Sequence, residues 1–436
     1  MRVASAVVQT LASQIVQSAA SLVTAILIAR GLGPVGQGGY AVFVTAVGLG
    51  AVIASFGQYE GNVLTSAGTR EPGRVLLSRA VVHALVVAAV LTALRPAWEP
   101  PATRLGVEGE ALGLFPIIVA LEIAALLLRG VNLGQHRVAA FNAVSLLQRL
   151  VYLLAIIGVA RVVDLSLALV LRCWAVATAA SLTVGAGWAW ARSPGGAATL
   201  AAIRAGWIAS LRRGWRPLVT IVLTLVLVRF DVWTLGPRLG SAAVGQISVA
   251  SGWVEWLWYV PTVVSTVLFA AVAADPVTRR LETVAQAARL VSAVMVPAGI
   301  ALMLVGDLLI PALYGDAYQE AGAAFVRLVP GAAAVAVHLV IDSHFAGRGF
   351  PPVSVLGAAG ALALKAGLNA VLVPGDGIRG AAVATSVAFA ALLTTKLLVL
   401  RAETRWPVHR FLLLQGADVR EAWTRVRGLA SSRALV

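Results

Sequence analysis

Charged residues and cysteine are both scarce in this chain. Only 12% of the 436 residues are Asp, Glu, Lys or Arg, and there is one cysteine, Cys173. A single cysteine excludes internal disulfides and any metal site built from several cysteines. The sequence also lacks a nucleotide-binding loop, a paired HExxH zinc motif and a serine-elbow motif. We therefore predict no catalytic residues, no metal site and no cofactor.

Apolar residues dominate the composition instead. They make up 59% of the chain, and the mean hydropathy is +0.89. A surface that faces water alone needs more polar side chains than this, so lipid is the expected solvent. The first apolar stretch, Val3 to Ala29, is too long for a signal-peptide core and has no small-residue cleavage site after it, which predicts a retained membrane helix.

Apolar runs of about 20 residues, the length that crosses a bilayer, recur along the chain. Their predicted ranges are 5–29, 38–64, 76–94, 111–133, 141–160, 165–191, 217–236, 243–273, 284–304, 322–346, 353–373 and 380–400. Segments rich in glycine and proline separate them, as expected of turns. The pattern predicts an all-α polytopic membrane protein with twelve transmembrane helices.

The basic residues predict the orientation of these spans. With the N-terminus in the cytoplasm, 21 of the 34 Lys and Arg residues fall on the inner side, 6 fall in outer loops and 7 lie within spans. Because positive residues concentrate on the cytoplasmic side of membrane proteins, both termini are predicted to be cytoplasmic. The net charge of +15 is then explained by the orientation of the chain in the membrane. We therefore predict no nucleic-acid partner.

A repeated phrase divides the chain in two. Residues 31–37 read GLGPVGQ, and residues 238–246 read RLGSAAVGQ, which places Gly33 and Gly240 207 positions apart. A repeat at about half the chain length predicts two homologous halves, and an even number of spans in each half relates them by an axis along the membrane normal. The predicted parts are an N-terminal six-helix lobe (1–191), a cytoplasmic linker (192–213), a C-terminal six-helix lobe (214–400) and a basic amphipathic cytoplasmic tail (401–436). The tail is expected to lie on anionic lipid, with partner docking as the alternative.

Charged residues inside the apolar spans predict a wet internal cavity, because a charge at the bilayer centre costs roughly 2.5–3.5 kcal/mol on insertion scales. The predicted substrate-binding residues of this cavity are Arg149, Arg229, Asp231, Glu255, Arg327, Lys365, Gln17, Ser21 and Trp256. The first six are the charged residues nearest the middle or in the outer half of a span. Arg129, Lys396 and Glu60 lie near the predicted cytoplasmic ends, where snorkelling explains them.

Polar and aromatic patterns complete this set. Gln17 and Ser21 belong to a polar stripe on the first helix, which faces the cavity or bonds to neighbouring helices. Trp256 is one of several aromatic residues around Glu255, a pattern that suits stacking on sugar rings or core packing. Glu122 and Arg129, seven positions apart, share a helix face.

Four acidic or protonatable residues are candidates for ion coupling. They are Asp231, Glu255, Asp342 and His338. His338 and Asp342 are four positions apart on one predicted helix, so they form either a proton relay or a structural hydrogen bond.

Two segments carry a family resemblance. Residues 29–57, ARGLGPVGQGGYAVFVTAVGLGAVIASFG, resemble the end of the first helix and the second helix of bacterial polysaccharide-transport (Wzx-type) oligosaccharide flippases. Residues 228–258, VRFDVWTLGPRLGSAAVGQISVASGWVEWLW, are similar to the seventh and eighth helices of that family. Its superfamily, MOP, also contains lipid II flippases and MATE-type drug exporters.

The resemblance implies two parallel-repeat six-helix lobes around a cationic cavity, a MOP/MATE-like arrangement. It also implies a flippase that moves undecaprenyl-diphosphate-linked oligosaccharide across the bacterial cytoplasmic (inner) membrane by alternating access, for cell-surface polysaccharide biosynthesis. The implied partners are the polyprenyl diphosphate sugar, membrane lipids and, as a coupling ion, H⁺ or Na⁺. No covalent chemistry is implied, so the chain is not expected to be an enzyme.

Two other functions remain as alternatives. A cation-coupled multidrug (MATE-type) antiporter needs an acidic cavity, whereas the six central charges are four bases and two acids. A membrane-embedded polysaccharide polymerase or glycosyltransferase needs a large outer loop with catalytic acids, and the longest predicted outer loop, 95–110, is short. The charge balance favours an anionic substrate.

Overall fold

The computed structural model of the protein describes residues 2–59, 61–62, 73–107, 109–135, 137–191, 199–259, 261–262, 264–265, 277–346, 348, 351–416 and 418. Within these residues every regular element is a helix. A helix satisfies its backbone hydrogen bonds within one segment, which is what a lipid environment requires.

The helices fall into a set of long apolar ones and a few short ones. They are α1 (Arg2–Ala54), α2 (Gly73–Ala93), α3 (Arg95–Arg104), α4 (Glu110–Gly134), α5 (Val138–Ala160), α6 (Leu167–Ala191), α7 (Leu200–Leu239), α8 (Ser241–Leu257), α9 (Val277–Tyr314), α10 (Gln319–Ala346), α11 (Pro352–Thr404) and α12 (His409–Leu412). A 3₁₀ turn, Asp316–Tyr318, precedes α10.

Nine helices in the described residues are long and apolar enough to cross a membrane. The protein is therefore a multi-pass membrane protein. Two of the nine candidate spans, of 42 and 53 residues, are roughly twice the length of about 20 residues that one crossing needs. Each bends at a glycine with non-helical backbone angles, Gly33 in α1 (φ 65°, ψ 177°) and Gly377 in α11 (φ 56°, ψ −133°). The count of twelve spans and the cytoplasmic location of the termini stay predictions.

Contacts between the helices divide the chain into two compact units. Unit 1 comprises residues 1–249 and 310–321, and unit 2 comprises residues 250–309 and 322–436. In unit 1, α7 packs on α1 and α2. The predicted division into lobes, linker and tail stays a prediction, and residues 192–198 of the linker lie outside the described residues.

The core of unit 1 joins α1, α5 and α6. It is a cluster of buried apolar side chains, namely Ile28, Tyr152, Ile156, Val170, Cys173 and Ala177. At another point of this unit, Arg79 of α2 is only 2% exposed and its Nη2 donates to Asn62 Oδ1 at 2.7 Å. Arg79, which the predicted orientation counts among the cytoplasmic charges, is therefore buried and bonded.

The two copies of the repeated phrase lie together in unit 1. Gly33 and Gly240 both have positive φ, 65° and 84°, a conformation that glycine adopts without the strain of a side chain. Ser241, directly after the second glycine, donates its hydroxyl to the Val35 carbonyl at 2.9 Å. The phrase thus places a glycine of positive φ at the same point in both copies, and the helix starts that follow are in contact.

The core of unit 2 includes residues that follow the last long helix. Phe411 of α12 is 0% exposed and packs with Val284 and Ala288 of α9, Ile341 of α10 and Leu400 of α11. This part of the predicted tail is therefore folded onto unit 2. Residues 419–436, the rest of the tail, lie outside the described residues.

Arg289 of α9 holds this segment in place. Its side chain is 2% exposed, and that of Asp418 is 3% exposed. The guanidinium donates to both carboxylate oxygens of Asp418, at 2.6 and 2.8 Å, and to the Arg410 carbonyl at 2.9 Å. Glu282 bridges Arg289 and Arg410 at 3.2 and 2.7 Å. A buried bidentate pair of this kind is among the stronger polar contacts in proteins.

Substitution of Asp418 by Asn is expected to loosen residues 405–418 from unit 2. The hydrogen bonds from Arg289 lower the pKa of Asp418, so the carboxylate stabilises the folded segment fully above its ordinary value of about 4 and loses that effect as the pH falls through the lowered pKa. Replacing a charged acceptor by a neutral one costs about 1–2 kcal/mol. Protection of residues 405–416 against hydrogen exchange, relative to the intrinsic rate at each pH, should therefore be lower in Asp418→Asn at pH 7, and in the unaltered protein only under strongly acidic conditions.

Glu403→Gln is the matched control for this experiment. Glu403 pairs with Arg348 at 2.6 Å, but both side chains are about 40% exposed, and such surface pairs contribute about 0–1 kcal/mol. Equal exchange rates in the two variants would contradict the role assigned to Asp418.

Candidate functional site

A polar cavity of about 310 Å³ lies inside unit 1. Four candidate membrane helices line it, α1, α4, α5 and α6. The polar lining residues are Tyr40, Glu122, Arg129, Gln148, Arg149, Tyr152 and Trp174. Polar groups in such helices are costly and mark functional sites by default.

Helical spacing explains why these side chains converge. Glu122 and Arg129 are seven positions apart, which is two turns of α4, and so project from one face. Arg149 is the central residue of the candidate span Val138–Ala160, and Glu122 lies within one residue of the centre of Glu110–Leu133. The cavity therefore places an acid and a base at the predicted mid-depth of the bilayer.

Three neutral donors hold Glu122 in place, all through one carboxylate oxygen. Its Oε1 accepts hydrogen bonds from Gln148 Nε2 at 2.8 Å, Trp174 Nε1 at 2.9 Å and Thr178 Oγ1 at 3.0 Å. The donors come from α5 and α6, so both neighbouring helices fix the orientation of the carboxylate.

Arg129 is held more loosely than Glu122. Its Nη2 lies 3.6 Å from Glu122 Oε2, beyond hydrogen-bond distance, and its Nη1 donates to Gln148 Oε1 over 3.4 Å. Arg129, which we expected to snorkel to the cytoplasmic surface, instead points into the cavity, because Glu122 and Gln148 attract it there.

Arg149 is exposed to the cavity space and makes no hydrogen bond or ion pair within the described residues. Tyr40 and Tyr152 line the cavity beside it, with their hydroxyl oxygens 3.2 Å apart. The charged lining of the cavity is thus two arginines and one glutamate, a net charge of one positive unit. This arrangement can bind an anionic group through guanidinium and phenol donors.

Unit 1 also contains four other predicted substrate-binding residues. Gln17 donates to Ser13 of its own helix at 2.9 Å, and Ser21 is half-buried. On α7, Asp231 is 3% exposed and Arg229 is half-buried. None of the four lines the described cavity, so their role in substrate binding stays a prediction.

Unit 2 contains the remaining predicted substrate-binding residues. Glu255 and Trp256 are half-buried on α8, and the Trp256 ring packs edge-on against Tyr259. Arg327 donates to the Ala323 carbonyl of its own helix at 2.7 Å, and Lys365 is 0% exposed. Substrate contact by these residues stays a prediction.

The predicted pair of His338 and Asp342 is not joined by a hydrogen bond within the described residues. Instead, Lys396 of α11 lies 2.7 Å from Asp342 Oδ1, also donates to the Ser354 hydroxyl and stacks over the Phe345 ring at 4.1 Å. Lys396 is 1% exposed, so the expectation that it snorkels is wrong: the half-buried carboxylate of Asp342 neutralises it. Glu60, the third residue in that expectation, lies outside the described residues.

Several residues that line the cavity were not among the predicted substrate-binding residues. Glu122 and Arg129 carried a signal in their shared helix face. Gln148 is a polar residue next to Arg149 within an apolar span, which was a weaker signal. Tyr40 and Trp174 carried none, because an aromatic residue in a membrane helix is ordinarily core or interface.

The comparisons with known proteins identify the fold. No family sequence model matches the chain, and no curated protein sequence matches it. Among solved structures, the chain is similar to an inward-facing multidrug resistance MATE family transporter of the MOP superfamily, with a TM-score of 0.70 and 15% identity over 91% of this chain and 98% of that one.

Two further solved structures have comparable TM-scores. The lipid II flippase MurJ, in an inward closed conformation, has a TM-score of 0.69 and 12% identity over 93% of this chain and 89% of its own. The Vibrio cholerae MATE transporter VcmN has a TM-score of 0.65 and 14% identity over 92% and 98%. This chain has the MOP fold. The predicted MOP/MATE-like arrangement is thereby confirmed at the level of the fold, which MATE transporters and MurJ share.

Proposed function

We propose that this MOP-fold protein is a flippase that moves undecaprenyl-diphosphate-linked oligosaccharide across the bacterial cytoplasmic membrane by alternating access, for cell-surface polysaccharide biosynthesis. One observation carries the proposal: Arg149, at the centre of a candidate membrane span, faces a polar cavity without an ion-pair partner among the described residues. An uncompensated guanidinium is costly in this environment. Binding of an anionic substrate group offsets that cost.

A diphosphate suits the cavity better than a carboxylate does. Arginine binds phosphate oxygens through two parallel N–H donors, and Arg129 is a second such group, held over long distances only. The hydroxyls of Tyr40 and Tyr152 are further donors. Aromatic faces such as Trp174 suit the apolar face of a sugar ring.

A cation-coupled antiporter is the rival function on the same fold. Glu122 is the observation that favours it, because an acid in a membrane cavity attracts cationic drugs. However, the Oε1 atom of Glu122 already accepts three hydrogen bonds, and Arg129 lies beside its Oε2. The net positive charge of the cavity therefore favours an anionic substrate.

A binding measurement separates the two functions. Purified protein in lipid nanodiscs is tested by equilibrium dialysis with a short-chain prenyl-diphosphoryl-N-acetylglucosamine, with the prenyl alcohol of the same chain length, and with tetraphenylphosphonium. We expect the diphosphate to bind at least about tenfold more tightly than the alcohol, which corresponds to one charge-assisted contact of about 1.5 kcal/mol, and more weakly as the salt concentration rises. Saturable binding of the cation without binding of the diphosphate would support the antiporter and overturn the proposal.

A further inference from the structure

The two carboxylate oxygens of Glu122 have very different surroundings. Oε1 accepts three hydrogen bonds from neutral donors. Oε2 accepts none within the described residues, and the nearest charged atom is Arg129 Nη2 at 3.6 Å. Glu122 is therefore fixed in position by neutral donors at one oxygen, and a loosely held arginine is the nearest cation to the other oxygen.

The charges that face Glu122 come from its own helix and from α5. The titratable or charged groups that line the cavity are Arg129 on α4, Arg149 and Tyr152 on α5 and Tyr40 on α1, while α6 contributes the neutral Trp174 and Thr178. The helix α2 also packs on α4; its Arg79 donates to Asn62 and its His83 is hydrogen-bonded to Gln58, and neither lines the cavity. Arg129 is thus the counter-ion of Glu122, and Arg149 is the other cation of the cavity.

An anion that enters this cavity competes with Glu122 for Arg129. Phosphate oxygens within hydrogen-bond distance of both arginines make stronger contacts than a carboxylate oxygen at 3.6 Å. Glu122 then loses its counter-ion and acquires a negative neighbour. In a poorly solvated site both changes favour the neutral, protonated carboxyl.

The charge balance leads to the same result. Two arginines and one ionised glutamate leave the cavity with one positive charge, and a diphosphate diester carries two negative charges. Binding without a proton leaves one negative charge buried in the membrane, whereas binding with one proton leaves none. The neutral state is favoured because an unpaired buried charge costs several kcal/mol.

We propose that Glu122 is a proton-binding residue that takes up a proton when an anionic substrate binds to Arg129 and Arg149. This inference rests on the proposed function, because it requires an anionic substrate in this cavity. It assigns Glu122 two roles in turn: counter-ion of Arg129 in the empty cavity, and hydrogen-bonded neutral acid in the loaded one.

Calorimetry tests the proposal directly. The probe is the short-chain prenyl-diphosphoryl-N-acetylglucosamine, whose phosphate diesters do not titrate near neutral pH. Its binding heat at pH 7 is measured in buffers with different ionisation enthalpies, and the slope gives the number of protons bound. We expect the unaltered protein to take up about one proton per ligand, and Glu122→Gln, which keeps an oxygen for the three donors, to bind the probe with no uptake.

Glu110→Gln is the matched control. Glu110 lies on the same helix but pairs with Arg172 at 2.6 Å, and both side chains are more than half exposed. This variant should retain the uptake of about one proton, as expected for a surface pair.

Each outcome bears on a different statement. Absence of probe binding to the unaltered protein overturns the proposed function. Binding without proton uptake, or uptake that persists in Glu122→Gln, overturns the assignment of Glu122 and leaves the function intact. If Glu122→Gln does not fold, infrared difference spectroscopy of the unaltered protein decides the question: the probe must induce the C=O stretch of a protonated carboxyl, and its absence refutes the proposal.

Discussion

Replacement of Arg149 by alanine is expected to reduce translocation of a lipid-linked sugar about 10- to 100-fold. The reason is that Arg149 is the cavity cation without a protein partner in the described part of the chain, so all of its hydrogen-bonding capacity is available to the substrate. Each hydrogen bond to a charged group is worth about 1.5–3 kcal/mol, and every 1.4 kcal/mol changes affinity tenfold. The measurement is the rate at which a fluorescent prenyl-diphosphoryl sugar becomes accessible to an external quencher in proteoliposomes.

Arg172→Ala is the control for this experiment. Arg172 is also an arginine within a candidate span, on α6, but it pairs with Glu110 and its side chain is 53% exposed. Its loss should leave the translocation rate within a factor of about two, since exposed pairs contribute at most about 1 kcal/mol. Equal rates for Arg149→Ala and the unaltered protein would remove Arg149 from the mechanism.

Replacement of Gly38 by alanine is expected to destabilise the protein by about 2–3 kcal/mol. Gly38 of α1 faces the start of α8, and an added Cβ atom would overlap the backbone carbonyl of Ser241. On the opposite side of this contact, a Cβ on Gly245 would overlap the carbonyl of Pro34. Backbone atoms cannot rotate away as side chains do, so the cost lies at the upper end of the range for overpacking, about 1–3 kcal/mol.

Gly50→Ala is the matched control, because no atom beyond the local backbone of the helix lies within 4 Å of a Cβ at that position of the same helix. There the substitution removes only the conformational freedom of glycine and should stabilise the helix by up to about 1 kcal/mol. Thermal unfolding in detergent, followed by tryptophan fluorescence, should show opposite shifts for the two variants. Identical melting temperatures would show that the two helix starts are not in contact.

Much of the fold was predictable because a bilayer imposes a simple rule on sequence. Apolar runs of sufficient length must be helices, and each predicted span is helical over most of its described residues. The repeated phrase also had a direct physical meaning, since Gly33 and Gly240 both have positive φ. The contact between the two copies had no local signal, because it joins residues some 200 positions apart.

The candidate site was predicted only in part. Arg149 was predicted as a binding residue because a single charge in an apolar span costs free energy whichever way its helix faces. Arg129 and Lys396 were misjudged for the converse reason: distance from a helix end does not reveal whether a carboxylate lies beside the side chain, on the same helix or on the next one. Glu122 attracts the first into the cavity, and Asp342 neutralises the second.

Composition and periodicity alone determined that this protein is a helical membrane protein with charges at mid-depth, because lipid penalises every other arrangement of the backbone and every unneeded charge. Only the tertiary structure decided which of those charges are paired and which face open space. For Arg149, which is available to a ligand, that distinction depends on how α1, α4, α5 and α6 pack in unit 1. For Lys396, which is not available, it depends on the ion pair with Asp342 in unit 2.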